Sequence, residues 1–320
     1  MRNPQHPLRP NEAHDRPGKR NLREGRPPSR KRSSKLKKVV PIIFCLSILV
    51  AVFAYLRRPE TYVPVFVPIE PDELVEYQES FPMVAVSADS LIDTGYLKLV
   101  NRELALSRHT YYELLVYAWP TVPVRATYIT IHQTALNAIA ALFEESRAQE
   151  ISAFFITSGY RSATRQAEIY RDAVNRLYVL PAGHSEHQLG LAADILAPGV
   201  TMAQMSGTRE AVWLAENAWR HGLILRYPYG TTHITGVAYE PWHYRYVGRI
   251  HAWFITSTGM VLEEYLEYLV EHGGFTAELD GVTYHVMYQL PVDGYVYVPR
   301  YLEFRVSASN RGGYVITAWE

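Results

Sequence analysis

An uncharged run of 18 residues, 39–56, divides this chain of 320 residues into two unequal parts. At about 1.5 Å per residue, a helix of that length covers roughly 27 Å, which is close to the hydrocarbon thickness of a bilayer. The run therefore predicts a single transmembrane helix. A cleaved signal peptide is the alternative, but the basic segment before the run is long for one, and Val52-Phe53-Ala54 is a weak cleavage site.

Charge is distributed unevenly on the two sides of this run. Residues 1–58 contain 15 of the 32 Lys and Arg residues but only 3 of the 32 Asp and Glu residues. Because basic residues stay on the cytoplasmic side of a span, we expect residues 1–38 to be a disordered cytoplasmic tail. The chain after residue 56 is then expected to be extracellular. The basic tail also raises nucleic-acid binding, but membrane topology and anionic lipid explain it better, so we expect no nucleic-acid partner.

The remaining chain divides by composition into three segments. Residues 57–90 are rich in Pro and Glu and predict an extended stalk. Residues 91–272 carry helix-like and strand-like patterns and predict the main folded domain. Residues 273–320 hold short alternating strands and predict a small β-rich C-terminal extension. The single cysteine, Cys45, lies in the uncharged run, so any metal ion beyond it must be held by His, Asp or Glu.

The periodicity within the main domain predicts an α+β fold. Apolar residues at helical spacing indicate helices at 129–146, 163–177, 210–221 and 263–271. Short apolar stretches indicate strands at 151–157, 191–196 and 223–225. We expect these strands to form an antiparallel sheet that is flanked by the helices, with a functional site at its open face.

Four side chains in two stretches of this domain form a candidate catalytic centre. His187 and Asp194 lie in the segment from Ser185 onward, and Glu240 and His243 lie in Glu240-Pro241-Trp242-His243. Two imidazoles and one carboxylate suit zinc and leave its fourth position open, although other divalent ions accept the same ligands. Glu240 is a further carboxylate that can stand beside the metal and move protons.

A guanidinium group is predicted close to the same site. Arg161 lies in Ser158-Gly159-Tyr160-Arg161-Ser162, just beyond the end of a predicted strand, and Gln166 follows on the next helix. A fixed guanidinium can stabilise the oxyanion of a tetrahedral intermediate or bind a carboxylate. Arg226 and Arg245 are interpreted as structural residues that pair with backbone or carboxylates.

Four motifs in order resemble the VanY-like D-alanyl-D-alanine carboxypeptidases, zinc peptidases of the lysostaphin-related group. The resemblance covers roughly residues 95–270. The motifs are Ser158-Gly159-Tyr160-Arg161-Ser162 with Gln166, Ser185-x-His187-x-x-Gly190-x-Ala192-x-Asp194, Trp219-x-x-Gly222-x-Ile224-x-Arg226-Tyr227-Pro228, and Glu240-Pro241-Trp242-His243-x-Arg245-Tyr246-Val247-Gly248.

The resemblance implies a role for each of these residues. His187, Asp194 and His243 are expected to bind zinc, Glu240 to act as general base and acid, and Arg161 to contact the oxyanion and the substrate. Gln166 and Ser185 are expected to contact the terminal D-alanine and its carboxylate. The implied activity is removal of the terminal D-alanine from peptidoglycan stem peptides by a membrane-anchored enzyme.

Two other functions remain open at the level of sequence. An L,D-carboxypeptidase or dipeptidase acting on another stem-peptide bond uses similar motifs. A non-catalytic scaffold that binds the cell wall is the second, although binding alone requires no general base such as Glu240.

Overall fold

A computed structural model describes residues 67–68, 82–91, 95–106 and 114–320 of the chain. The tail at 1–38 and the span at 39–56 that the sequence predicts lie outside these residues. Within the described residues, no helix has both the length and the apolar character that crossing a bilayer requires.

Helices surround the main sheet and match most of the sequence-based predictions. In the described part of the chain the α-helices are α1 (Gln133–Ala148), α2 (Ala163–Asp172), α3 (Met202–Met205), α4 (Arg209–Asn217), α5 (Thr232–Thr235), α6 (Arg249–Thr258) and α7 (Leu262–His272). The helix predicted at 129–146 begins later, because Thr130–His132 is a strand and the His132 side chain accepts a hydrogen bond from the backbone of Thr134. Helix α6 was missed by the sequence analysis.

Strands in the described residues form two larger antiparallel sheets and two strand pairs. In chain order they are β1 (Val67–Pro68), β2 (Met83–Ser87), β3 (Leu115–Tyr117), β4 (Thr130–His132), β5 (Phe155–Ser158), β6 (Ala192–Leu196), β7 (Leu223–Leu225), β8 (His243–Tyr246), β9 (Gly274–Leu279), β10 (Val282–Gln289), β11 (Tyr295–Pro299), β12 (Glu303–Ala308) and β13 (Tyr314–Trp319). The predicted α+β class is confirmed in its broad form.

The central sheet has the strand order β5-β6-β8-β7, and every neighbouring pair is antiparallel. Strand β6 is buried along its whole length, and its Ala193 and Ile195 belong to an apolar cluster with residues of α1 and α4. The apolar cluster between them includes Leu136, Phe143, Ile195 and Leu214. Burial on both faces explains why β6 reads as a continuous apolar run that only Asp194 interrupts.

The C-terminal region is β-rich, as its alternating pattern predicts. Strands β9, β10, β13 and β12 build a sheet whose edge is completed by β1, and β2 pairs with β11. The prediction of a stalk through residue 90 is therefore wrong for β2, because Met83–Ser87 is a strand of this extension. The stalk signal came from Pro and Glu content, which does not detect pairing with a strand about 200 residues away.

His251 joins the main domain to the C-terminal extension. This side chain lies on α6, where its Nδ1 is 2.6 Å from the Tyr265 hydroxyl of α7 and its Nε2 is 2.9 Å from Thr317 Oγ1 of β13. It is buried, and burial, reinforced by the nearby Arg305 charge, lowers the pKa of His251 to about 3. The neutral imidazole therefore connects three elements through both of its nitrogens.

The variant His251→Gln is expected to reduce the acid sensitivity of the fold. An unfolded histidine titrates near about 6.5, so between about pH 6.5 and 3 the unfolded chain binds a proton that the folded chain does not. The free energy of unfolding of the wild type should then fall by up to about 1.4 kcal/mol for each pH unit in that window. Glutamine has no such titration.

Denaturant unfolding of both proteins between about pH 7 and 5 measures this effect. The stability advantage of the wild type over His251→Gln should shrink as the pH falls. His233→Gln, at an exposed position, is the control and should show no such change. A difference between wild type and His251→Gln that stays constant with pH would contradict the assignment.

Candidate active site

The central sheet brings His187, Asp194 and His243 together. Asp194 of β6 and His243 of β8 are directly opposite each other in the antiparallel register. His187 lies in a short 3-10 helix, Glu186–Leu189, which ends just before β6. All three side chains are buried, and one ligand atom from each lies within 4.8 Å of the other two.

The spacing of these atoms fits a zinc ion. Asp194 Oδ1 is 3.4 Å from His187 Nε2 and 3.1 Å from His243 Nδ1. Tetrahedral zinc with bonds of about 2.0–2.1 Å places neighbouring ligand atoms about 3.3–3.4 Å apart. The nitrogen and oxygen donors are also the types that zinc accepts, so the residues present fit the metal that the sequence predicts.

Two glycines shape the backbone around His187. The Nδ1 atom of His187 is 2.7 Å from the carbonyl oxygen of Gly159, which fixes Nε2 as the nitrogen that faces Asp194. A Cβ on Gly159 would press against the Thr130 carbonyl, so no larger residue fits there without a shift. Gly190 ends the 3-10 helix with φ +68°, and a Cβ there would lie 2.6 Å from Leu115.

The two imidazoles differ in their affinity for protons. Burial lowers the pKa of His187 to about 4, and the Arg161 charge acts in the same direction. Burial also opposes protonation of His243, but the neighbouring carboxylates of Asp194, Glu186 and Glu240 prevail and raise its pKa to about 9. A divalent cation competes with the proton for the ligand nitrogen, so metal binding at this site releases protons and weakens as the pH falls.

Glu240 stands beside the three candidate ligands. Its Oε2 is 3.6 Å from His243 Nδ1, and the residue is only 5% exposed. Burial raises the pKa of Glu240 to about 8; the Asp194 charge adds to the rise, while His243 and Arg161 oppose it. A carboxylate that titrates near neutral pH is suited to accept a proton and then return it.

Arg161 is held at the same site by three side chains. Its NH2 group donates to Asp194 Oδ2 at 2.9 Å and its Nε donates to Ser158 Oγ at 3.0 Å. Its NH1 group is 3.5 Å from Gln166 Oε1, which makes it the least engaged part of the guanidinium. The salt bridge with Asp194 fixes both the guanidinium and the free oxygen of the carboxylate.

Every site residue that the sequence predicts lines one cavity. Arg161, Gln166, Ser185, His187, Asp194, Glu240 and His243 all line it. Gln166 is buried and donates from Nε2 to the carbonyl of Leu180 at 2.6 Å, which fixes its amide. The structure thus brings together all seven residues, which are spread over more than 80 positions of the chain.

Sequence reasoning missed part of the cavity wall. Tyr178 and Trp242 line the cavity, with ring centroids 6.3 Å apart, and Ile169 and Met202 add apolar surface. Trp242 was noted only as a neighbour of His243. The helix predicted at 163–177 ends at Asp172. Tyr178 lies in the segment after it, and no sequence signal placed this residue near the candidate metal ligands.

A buried ion-pair network lies next to the site. Glu186 Oε1 accepts hydrogen bonds from Arg226 Nε at 2.8 Å and Arg245 NH1 at 2.7 Å. Arg226 also forms a two-point pair with Glu263, at 2.8 and 2.6 Å. Arg226 and Arg245 are therefore structural, as expected, whereas the sequence analysis gave no role to Glu186.

Comparison with known proteins finds relatives that are D-alanyl-D-alanine carboxypeptidases. A D-alanyl-D-alanine carboxypeptidase of Enterococcus faecium is 39% identical over 171 residues, which are 53% of this chain and 55% of that protein. The chain thus spans about half the length of this relative. The bifunctional D-Ala-D-Ala dipeptidase and D-Ala-D-Ala carboxypeptidase VanXYC of Enterococcus gallinarum is 34% identical over 128 residues, 36% of this chain and 67% of the relative.

A solved structure shares the fold over most of the described residues. The vancomycin resistance D,D-dipeptidase VanXYg, in complex with a D-Ala-D-Ala phosphinate analogue, superposes with a TM-score of 0.65 at 26% sequence identity. The match covers 75% of this chain and 99% of that one. It therefore extends beyond the central sheet.

The fold is shared with a solved D,D-dipeptidase, and the His–Asp–His donor set is of the type that zinc peptidases use. A family model described as "VanY: D-alanyl-D-alanine carboxypeptidase" matches residues 128–249, and all seven site residues lie within that range. The chain belongs to the VanY family of D-alanyl-D-alanine carboxypeptidases.

Proposed function

We propose that this chain is a zinc D,D-carboxypeptidase, which hydrolyses the terminal D-Ala-D-Ala bond of peptidoglycan stem peptides. The observation that carries the proposal is the buried Glu240 carboxylate beside the His187, Asp194 and His243 donor set. The names of the Enterococcus relatives support the substrate class. A site that only bound a metal would not need a proton acceptor with a pKa near neutral.

The residues of the site divide the reaction between them. A bound zinc ion supplies Lewis acidity, which lowers the pKa of a water molecule toward neutral and polarises the peptide carbonyl. Glu240 accepts the proton of the attacking water and delivers it to the nitrogen of the departing D-alanine. Arg161 directs its least engaged N–H groups at the oxygen on which negative charge develops.

The cavity wall determines how the peptide is held. We assign contacts with the terminal D-alanine and its carboxylate to Gln166 and Ser185, which line the cavity beside Arg161. The rings of Tyr178 and Trp242 give the substrate an apolar surface and exclude water from one side. The terminal carboxylate is thereby bound near the guanidinium, while the scissile carbonyl faces the donor set.

Dipeptidase activity is a second candidate function. The relative VanXYC is bifunctional, and VanXYg is a D,D-dipeptidase. Both act on the D-Ala-D-Ala unit, so the same catalytic groups can serve a free dipeptide or the end of a stem peptide. The length of substrate that the cavity admits decides between these two activities.

A membrane anchor completes the proposal. The uncharged run at 39–56 and the basic residues before it favour a single-pass protein whose N-terminus is cytoplasmic and whose catalytic domain is extracellular. Alkaline carbonate extraction of membranes tests this topology. The full chain should stay in the membrane fraction, and release into the supernatant would contradict the anchor.

The reaction is tested with the full chain, purified in detergent and loaded with zinc. Release of D-alanine is measured from a stem pentapeptide that ends in D-Ala-D-Ala, from the corresponding tetrapeptide and from the D-Ala-D-Ala dipeptide. The proposal predicts release from the pentapeptide, loss of release after chelation of the metal and recovery on adding zinc.

Each of the other outcomes replaces the proposal with a different function. Release from the tetrapeptide alone would indicate an L,D-carboxypeptidase. Cleavage of the dipeptide alone would indicate a dipeptidase. Zinc binding without any hydrolysis would indicate a scaffold that binds the cell wall.

A further inference from the structure

Glu186 is a buried carboxylate that the reaction does not use. Its side chain has no exposed surface, and it does not line the cavity although it precedes His187 in the chain. The imidazole of His243 separates it from the other carboxylates: Nδ1 faces Asp194 and Glu240, whereas Nε2 faces Glu186. Glu186 therefore lies behind the metal ligand, on the side away from substrate.

The two oxygens of Glu186 have different surroundings. Oε1 accepts from both Arg226 and Arg245. Among the residues that the structure describes, Oε2 has no hydrogen-bond partner and lies 3.8 Å from His243 Nε2, which also has none there. A carboxylate that served only the arginines would use both oxygens in a two-point pair, as Glu263 does with Arg226.

Burying the Glu186 carboxylate in this position costs desolvation free energy. Removing a carboxylate from water is unfavourable unless charges and hydrogen bonds compensate for it. Arg245 is itself fixed by the backbone carbonyls of Tyr96 and Lys98, at 2.7 and 3.0 Å, and Arg226 is fixed by Glu263. Both arginines are therefore held by further partners, yet one oxygen of Glu186 is left facing His243.

The tautomer that a metal-bound imidazole adopts explains what Glu186 Oε2 can do. An imidazole that donates its Nδ1 lone pair to a metal carries its single proton on Nε2. For His243 the acceptor in front of Nε2 is then Glu186 Oε2. His187 has the same arrangement with the opposite nitrogens, because its Nδ1 faces the Gly159 carbonyl and its Nε2 faces the donor set.

We propose that Glu186 is a positioning residue that accepts a hydrogen bond from His243 Nε2 and so keeps Nδ1 directed at the metal. The hydrogen bond needs about 0.6–1 Å of approach from the present 3.8 Å, which a small rotation of the imidazole supplies. Outer-shell partners of this kind orient the ring and increase its basicity, and their loss typically lowers metal affinity 10- to 100-fold. The inference rests on the metal site of the proposed function but not on the reaction.

Zinc affinity of the full chain tests the proposal, measured by competition with a chelating indicator. In Glu186→Gln the amide oxygen can still accept from the two arginines, which turns the amide N–H₂ toward His243 Nε2. A donor then faces a donor, so we expect zinc to bind 10- to 100-fold more weakly. Glu263→Gln is the matched control, since it weakens the same network at Arg226 without facing His243, and its zinc affinity should stay within about threefold of the wild type.

A second readout distinguishes positioning from general loosening of the network. Long-range ¹H–¹⁵N spectra of the histidine-labelled zinc form should show the Nε2–H tautomer for His243 in the wild type, with loss of that pattern in Glu186→Gln only. Glu186→Asp is the substitute variant if Glu186→Gln fails to fold. It retains the negative charge but moves the carboxylate away from His243, so it should also bind zinc more weakly than the wild type.

Equal zinc affinity in wild type, Glu186→Gln and Glu186→Asp would overturn the proposal. An equal loss in Glu186→Gln and Glu263→Gln would overturn it too, because it would show a merely structural network. The specific loss in Glu186→Gln, in a chain that releases no D-alanine from any peptide, would support the positioning role while the proposed reaction failed.

Discussion

Replacing Glu240 by glutamine is expected to lower kcat by about 10²- to 10⁴-fold while the zinc content stays at the wild-type level. Glutamine has nearly the same shape, so it fills the same buried space, but it cannot accept a proton from the attacking water. Zinc should be retained because Glu240 stands beside the ligand set and is not one of its three members. D-alanine release and metal content, measured on the same preparation, test both statements.

The pH dependence of the wild type gives a further check on this residue. Glu240 acts as a base only when it is ionised, so kcat/KM should rise with pH through the pKa of Glu240. That pKa is about 8 from burial and neighbouring charges alone, and the positive charge of a bound zinc ion favours the carboxylate, so the rise should lie below pH 8. Glu168→Gln, at a partly exposed residue paired with Arg165, should keep the wild-type rate. A Glu240→Gln enzyme within tenfold of the wild type would eliminate Glu240 as the base.

Replacing Arg161 by lysine is expected to lower kcat by about 10²- to 10³-fold, the usual cost of losing a donor to a developing oxyanion. Lysine keeps the positive charge but cannot reach Ser158, Asp194 and the oxyanion at the same time. The effect should therefore appear in kcat, with a smaller change in KM.

Steady-state kinetics with the stem pentapeptide separate the two roles considered for Arg161. A fall in kcat supports stabilisation of the transition state, whereas a rise in KM with unchanged kcat would show that Arg161 only binds the terminal carboxylate. Arg165→Lys, four residues further on at an exposed position, controls for general effects of the substitution. Wild-type kinetics in Arg161→Lys would remove the residue from both roles.

The local features of the fold could be predicted because they depend on neighbouring residues. Strand β7 was predicted with its observed bounds, and α7 was predicted to within one residue at each end. Asp194 stood out because a carboxylate in an apolar strand must have a partner. The candidate ligand set, which the structure brings together, followed from residue types and from motifs in a fixed order.

Two of the features that the sequence did not reveal, strand β2 and the environment of Glu186, depend on contacts between distant segments. Strand β2 resembles a stalk until β11 pairs with it. Glu186 resembles a solvated side chain beside a metal ligand, and only the fold brings Arg226 and Arg245 to it, 40 and 59 positions away. Helix α6 was missed because it directly follows the Glu240–Gly248 motif, whose aromatic residues obscured its start.

The direct pairing of Asp194 with His243 has a consequence for how the chain folds. Side chains alternate between the two faces of a sheet, so a shift of one residue between β6 and β8 would turn one of these two proposed ligands to the wrong face. A chain with that error could not bind zinc tightly. The metal therefore stabilises only the correctly aligned sheet, and its binding selects the native strand alignment over misaligned ones by mass action.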